Sequence, residues 1–235
     1  MVIEYVEAAG FPLATAVATL AASFYAYTAY RNSGSTAALA LSAGLFAVFI
    51  QAVLESVINV MVLRSPGFYG STAHYSLDAV RGIAIVFWSA AMASVLIETI
   101  GAESRWIRIG LPGIVFISGT VYTLAVNILS GIEPPSQRLL VSSIGRVLGQ
   151  LVPLALLVGA YFTRELAIPT GSRAAMLIGL AFIMHGFTLP LYSVAKSLGM
   201  VTLGLWYAVG GIIPALLAAY GFRLLTEEQK EAVAA

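Results

Sequence analysis

Five stretches of this chain run without a single Asp, Glu, Lys or Arg: 8–30, 32–54, 109–132, 174–195 and 197–222. Each is longer than the ~20 apolar residues that cross a bilayer. An ionised side chain at the bilayer centre is costly, so charge-free runs of this length mark spanning segments. Of the 235 residues, 60% are hydrophobic and 10% charged, against about 25% charged in an average soluble domain. That balance excludes a water-soluble globule.

Two shorter charge-free runs, 82–97 and 147–163, reach spanning length only when extended across an embedded charge. The expected class is therefore an all-α integral membrane protein, a seven-transmembrane-helix bundle. Its helices are placed near 6–30, 36–63, 75–99, 107–130, 139–163, 173–195 and 199–224. Residues 1–235 form one membrane domain, and 225–235 are read as a short cytoplasmic tail. Strict alternation over about ten residues, the mark of a membrane β-barrel, is not present. The start, Met1-Val2-Ile3-Glu4, lacks the basic region of a cleaved signal peptide, so the first helix is expected to be retained.

Loop charge sets the expected orientation. With the N-terminus outside, the inner side carries Arg31, Arg105, Arg108, Arg164, Arg173, Arg223 and Lys230, and the outer side Arg64, Arg138 and Lys196. The excess of inner Lys and Arg favours N-out, C-in. The net charge of +1 and the absence of a basic run argue against a nucleic-acid partner. No cysteine is present, which removes disulfides, thiol nucleophiles and thiolate metal sites.

Several features read as packing. Ala14, Ala18, Ala22 and Ala26 recur every four residues on the first helix, a small-residue stripe that admits a close neighbour. Gly145 and Gly149 form a GxxxG pair in the fifth, read as a contact within the bundle. Pro12, Pro112, Pro153, Pro190 and Pro214 fall in or near spanning segments, and Gly210-Gly211 before Pro214 marks an expected bend. Tyr5, Tyr25, Tyr27, Tyr30, Trp106 and Tyr220 lie near helix ends as interfacial anchors.

The polar residues deep in the segments carry the functional argument. Gln51, Glu55 and Asn59 form one stripe on the second helix. Asp78 and Arg81 sit one turn apart on the third, and Ser142, Arg146 and Gln150 share a face of the fifth. Asn127 with Thr123, His185 with Thr188 and Tyr192, and Trp206 with Tyr207 and Thr202 add polarity from the fourth, sixth and seventh helices. Alternating helix directions put nearly all of them between mid-membrane and the outer surface, leaving the inner half apolar. A polar cavity is expected there, with Glu55, Asp78, Arg81 and Arg146 summing to zero charge. Two pairings are equally consistent: Asp78 with Arg81 and Glu55 with Arg146, or the reverse. The site set is Glu55, Asn59, Asp78, Arg81, Asn127, Arg146, Gln150, His185, Trp206 and Tyr207. His74 falls in the outer loop or at the start of the third helix and is expected to be solvated.

Other chemistries lack their residues. The two histidines are too far apart for bis-histidine haem ligation, and neither an HExxH helix nor a carboxylate-rich metal pair occurs. There is no GxSxG elbow. A Ser118–His185 dyad ranks low, because membrane-helix serines commonly bond their own backbone. No cofactor is expected, and an enzyme ranks last among the functions.

The seven-helix, N-out plan, with Arg81 in the third helix and Pro190 in the sixth, resembles that of microbial rhodopsins. The resemblance covers the bundle plan and not the chemistry. A retinal Schiff base requires a lysine inside the seventh helix, and Lys196 precedes that segment.

Embedded ionisable residues point to a pathway or binding site. Transport of a small solute, ion or proton is the favoured function. Sensing of a ligand with signalling to a separate partner is the alternative, followed by a non-catalytic subunit of a larger membrane complex. The partners these readings imply are the lipid bilayer, a small-molecule or ion ligand, and a second copy or complex subunit. The location is the cell membrane of a prokaryote.

Overall fold

The computed structural model describes residues 2–101, 104–130, 152–197 and 203–234, and among the described residues there is no strand. The helical segments are α1 (2–33), α2 (Thr36–Arg64), α3 (Thr72–Thr99), α4 (Arg105–Ser130), α5 (152–170), α6 (Arg173–Ser197) and α7 (203–234). Five stretches are long and apolar enough to cross a membrane: Val6–Ser33, Thr36–Arg64, Thr72–Thr99, Trp106–Ala125 and Leu205–Glu231. Those lengths and compositions are those of an all-helical, multi-pass membrane protein.

The helices are started and stopped by local chemistry. Ser35, Ser71 and Ser172 are N-caps whose hydroxyls accept from the backbone N–H groups of Ala38, His74 and Ala175. Two connections share one design, Ser33-Gly34-Ser35 between α1 and α2 and Thr170-Gly171-Ser172 between α5 and α6. In each, a left-handed glycine (φ 69° at Gly34 and Gly171) ends one helix and the following serine caps the next. In each, the residue before the glycine bonds back to the preceding turn and accepts from the serine N–H at 3.2 Å.

Boundaries differ from expectation in two places. The fifth helix was placed at 139–163, but α5 runs on through Arg164 and Glu165 to Thr170, both charges being exposed. The part of it before 152 lies outside the described residues. Residues 225–234, read as a tail, continue α7, supported by an Arg223–Glu227 pair one turn apart and by Ser172 donating to Glu228.

Packing closes α1, α2, α3, α5, α6 and α7 into a ring in that order, with α7 returning to α1, while α4 packs on α3. The centre contains Leu41, Leu45, Trp88, Met92, Val158, Ile178, Phe182 and Phe222. Lipid is as apolar as these side chains, so fit rather than hydrophobicity holds the helices together. On α1 the expected alanine stripe is buried at Ala18, Ala22 and Ala26 but exposed at Ala14. A four-residue step advances about 40° around a helix of 3.6 residues per turn, so such a stripe drifts off the contact face. At that level Thr15 and Thr19 face the bundle instead. Ser23 of α1 and Ser42 of α2 then tie the pair, each hydroxyl donating to the other's backbone carbonyl, at 2.8 and 2.9 Å.

Candidate functional site

Glu55 is the centre of the polar network. The stripe on α2 brings Gln51 one turn before it, and the Gln51 amide donates to Glu55 Oε2 at 2.9 Å. From the first turns of α7, the Tyr207 hydroxyl donates to Glu55 Oε1 at 2.6 Å. From α3, Arg81 NH1 lies 3.8 Å from the same oxygen, while NH2 pairs with Asp78. One guanidinium therefore bridges two carboxylates. The expected alternatives paired each acid with its own arginine; in the structure Arg81 serves both. Their side chains are only 15% (Arg81), 21% (Glu55) and 24% (Asp78) exposed, so the charges are held largely by one another and by neutral donors.

The site occupies the end of the bundle where α1, α3 and α7 begin and α2 ends. Trp206 sits beside Tyr207 there, half-buried. Asn127 is placed on α4 by its backbone. Arg146, Gln150, Ser142 and the Gly145–Gly149 pair lie outside the described residues. His74, expected to be solvated, is half-buried in the first turn of α3, its ring packed on Phe68, Tyr69 and Tyr75 at 5.7, 4.9 and 5.5 Å.

Asn59, whose side chain also bonds Tyr207 of the network, and His185 have a further role that the sequence reading did not give them. The structure has π-helical turns at Val6–Gly10, Phe162–Ala167 and Ala208–Ile212, and each ends two residues before a proline: Pro12, Pro169 and Pro214. Proline has no N–H, so the carbonyl four residues earlier loses its α-helical donor. For Pro12 that carbonyl is Ala8, and the Asn59 amide donates to it from α2 at 3.1 Å. For Pro214 it is Gly210, bonded by His185 Nδ1 from α6 at 2.9 Å. Both side chains complete a backbone that proline has interrupted, as buried membrane helices require.

This reading yields a coupling. Asn59→Ala is expected to cost about 1–3 kcal/mol by stranding the Ala8 carbonyl. In a Pro12→Ala background, where an N–H is restored, the same change should cost at least about 1 kcal/mol less. A double-mutant cycle on detergent unfolding measures this, and strict additivity would refute the pairing.

Gly210 and Gly211 fall at the bend expected before Pro214, within the π-helical turn Ala208–Ile212. A Cβ on Gly210 would collide with Thr188 of α6, and one on Gly211 would lie 2.6 Å from Thr15 Oγ1 of α1. The pair lets α7 wedge between two neighbours, which is a packing role. Ser118 donates to the Ile114 carbonyl of its own helix at 2.7 Å and is exposed, so it forms no dyad with His185. Among the described residues no group of three His, Cys, Asp or Glu side chains is placed to hold a metal.

Sequence reasoning overlooked a cavity of about 30 Å³ lined by Thr15, Thr19, Val48, Trp88, Phe182 and His185, among others. Its aromatic walls, Trp88 stacked on Phe182 at 5.6 Å and edge-on to His185 at 5.8 Å, come from two helices, and no spacing within one helix announces them.

No family model, curated protein or solved structure matches this chain. The class is set by its helices, and the site by the geometry around Glu55.

Proposed function

We propose that the chain is a transporter of a small solute, ion or proton in the cell membrane, built as a seven-pass, N-out bundle with Glu55 as its exchanging group. One observation carries this reading. A carboxylate within an apolar span receives donors from three helices, Gln51 of α2, Tyr207 of α7 and Arg81 of α3. Helices that meet on one titratable oxygen pair can be rearranged by its proton, because protonation removes the charge that Arg81 and Tyr207 are bound to. Asp78 keeps Arg81 paired when Glu55 is neutral, so the guanidinium is never left alone in the bundle.

The test is proton flux into proteoliposomes containing a pH-sensitive dye. Glu55→Gln keeps the shape and the Tyr207 partner and is expected to lower flux at least about tenfold, with thermal unfolding little changed. Flux equal to the unsubstituted protein's would remove Glu55 from the pathway.

A second reading, a ligand sensor that signals to a separate protein, is favoured by one-sidedness. The Glu55 network lies at one end of the spans, and the middle is lined chiefly by apolar and aromatic side chains. A protein that binds tightly but moves nothing across the vesicle would fit that reading.

A further inference from the structure

We infer that the mid-bundle cavity beside His185 holds about two water molecules, extending the Glu55 network toward the centre of the spans. A carbonyl can only accept, so the nitrogen facing Gly210 must carry the proton: His185 is an Nδ1–H donor. An imidazolium here would be a buried charge with no carboxylate among its contacts in the described residues, so the ring is neutral and Nε2 carries a lone pair. Among the described residues Nε2 has no protein partner, and buried ring nitrogens are ordinarily satisfied by protein or by ordered water.

The two threonines of the wall are acceptors as well. The Thr15 hydroxyl spends its proton on the Phe11 carbonyl at 3.1 Å, and the Thr19 hydroxyl on those of Thr15 and Ala16, at 2.9 and 3.0 Å. Their oxygens present lone pairs only. Trp88 on the same wall adds an indole N–H, so a guest must give protons to the imidazole nitrogen and the hydroxyl oxygens and can accept one. Water gives two, enough to join Nε2 to a threonine oxygen. The volume of about 30 Å³ matches two waters at roughly 10–15 Å³ each by this measure.

The place of the cavity gives the guest a purpose. Val48 on its wall is seven residues before Glu55 on α2, about 10 Å along the helix axis, and Gln51 stands between them, bonded to Glu55. Water here continues the polar file one to two turns past the carboxylate. In its purpose the inference rests on the transport reading; in its chemistry it does not.

The chain has two histidines, so His74→Gln leaves His185 as the single imidazole. With ¹⁵N-histidine-labelled full-length protein in lipid bilayers, solid-state NMR is expected to show a protonated Nδ1 and an unprotonated Nε2 that receives magnetisation from water. Ala215→Leu, which fills the wall, should abolish that transfer. The unsubstituted protein under xenon is the companion measurement, needed if the leucine variant does not fold, and water in residence should exclude the gas. A protonated Nε2, or an Nε2 without water transfer in a cavity that takes up xenon, would overturn the inference. Water at Nε2 with unchanged flux in Glu55→Gln would sink the transport reading and leave the hydrated site standing. Loss of flux with a dry Nε2 would do the opposite.

Discussion

Arg81→Ala is expected to destabilise the bundle by about 3 kcal/mol, more than any other single polar substitution at this end. The guanidinium is the counter-charge of both Glu55 and Asp78, and its removal leaves two carboxylates facing each other across α2 and α3. Breaking a buried pair from one side typically costs about 3–5 kcal/mol; the residual exposure of all three groups places the value at the lower end. Two further variants isolate the cause. Arg81→Lys keeps the charge but lacks the two-pronged geometry that reaches both acids, and should recover about half of the loss. Arg81→Met combined with Glu55→Gln and Asp78→Asn removes the charge conflict and should recover most of it. Unfolding in a detergent–denaturant series reads all three. A loss below about 0.5 kcal/mol for the alanine variant would mean that solvent, not Arg81, holds the acids.

Gly159→Val should prevent assembly of the α5–α6 pair. A Cβ at Gly159 would lie 2.7 Å from the Gly179 carbonyl oxygen and 2.8 Å from the Ile183 backbone nitrogen. The obstacle is main chain, which has no rotamer to escape to, so the helices must separate. Overpacking of side chains commonly costs about 1–3 kcal/mol; a contact with main chain lies at or above the top of that range. The contact is mutual, since a Cβ at Gly179 would meet the Gly159 carbonyl oxygen at 2.9 Å. Gly159→Ala should therefore already be harmful, and Gly159→Val should leave little folded protein by size-exclusion profile after extraction. A normal profile with an unchanged unfolding midpoint would show that α5 and α6 are not this close.

What could be read in the sequence is what one helix carries by itself. Charge-free length located the spans, and four-residue spacing put Gln51 and Glu55 on one face, where they bond. The i, i+3 spacing of Asp78 and Arg81 likewise put that pair within reach. Contacts between helices were less legible. Arg81 reaching Glu55 as well as Asp78 depends on the offset between α2 and α3, which neither sequence states. Asn59 and His185 stood out because both are polar in apolar spans. Each also bonds a carbonyl freed by Pro12 or Pro214, and that signal was present: a proline within a spanning helix requires a donor for the carbonyl four residues back. The cavity was invisible for the same reason as the Gly159–Gly179 contact, because both arise where two surfaces meet. The alanine stripe failed at Ala14 by arithmetic alone, four residues being more than one turn.

The paired turns, Ser33-Gly34-Ser35 and Thr170-Gly171-Ser172, bear on biogenesis. Each joins two helices through a link too short to let them part, so α1 with α2 and α5 with α6 form as hairpins whose partners are already in contact. The search that the chain would otherwise face shrinks to the docking of preformed units, with most contacts local in sequence. The reciprocal Ser23–Ser42 bonds give the first hairpin its register before any later helix has been made, leaving the Glu55 network, whose members come from α2, α3 and α7, to be completed last.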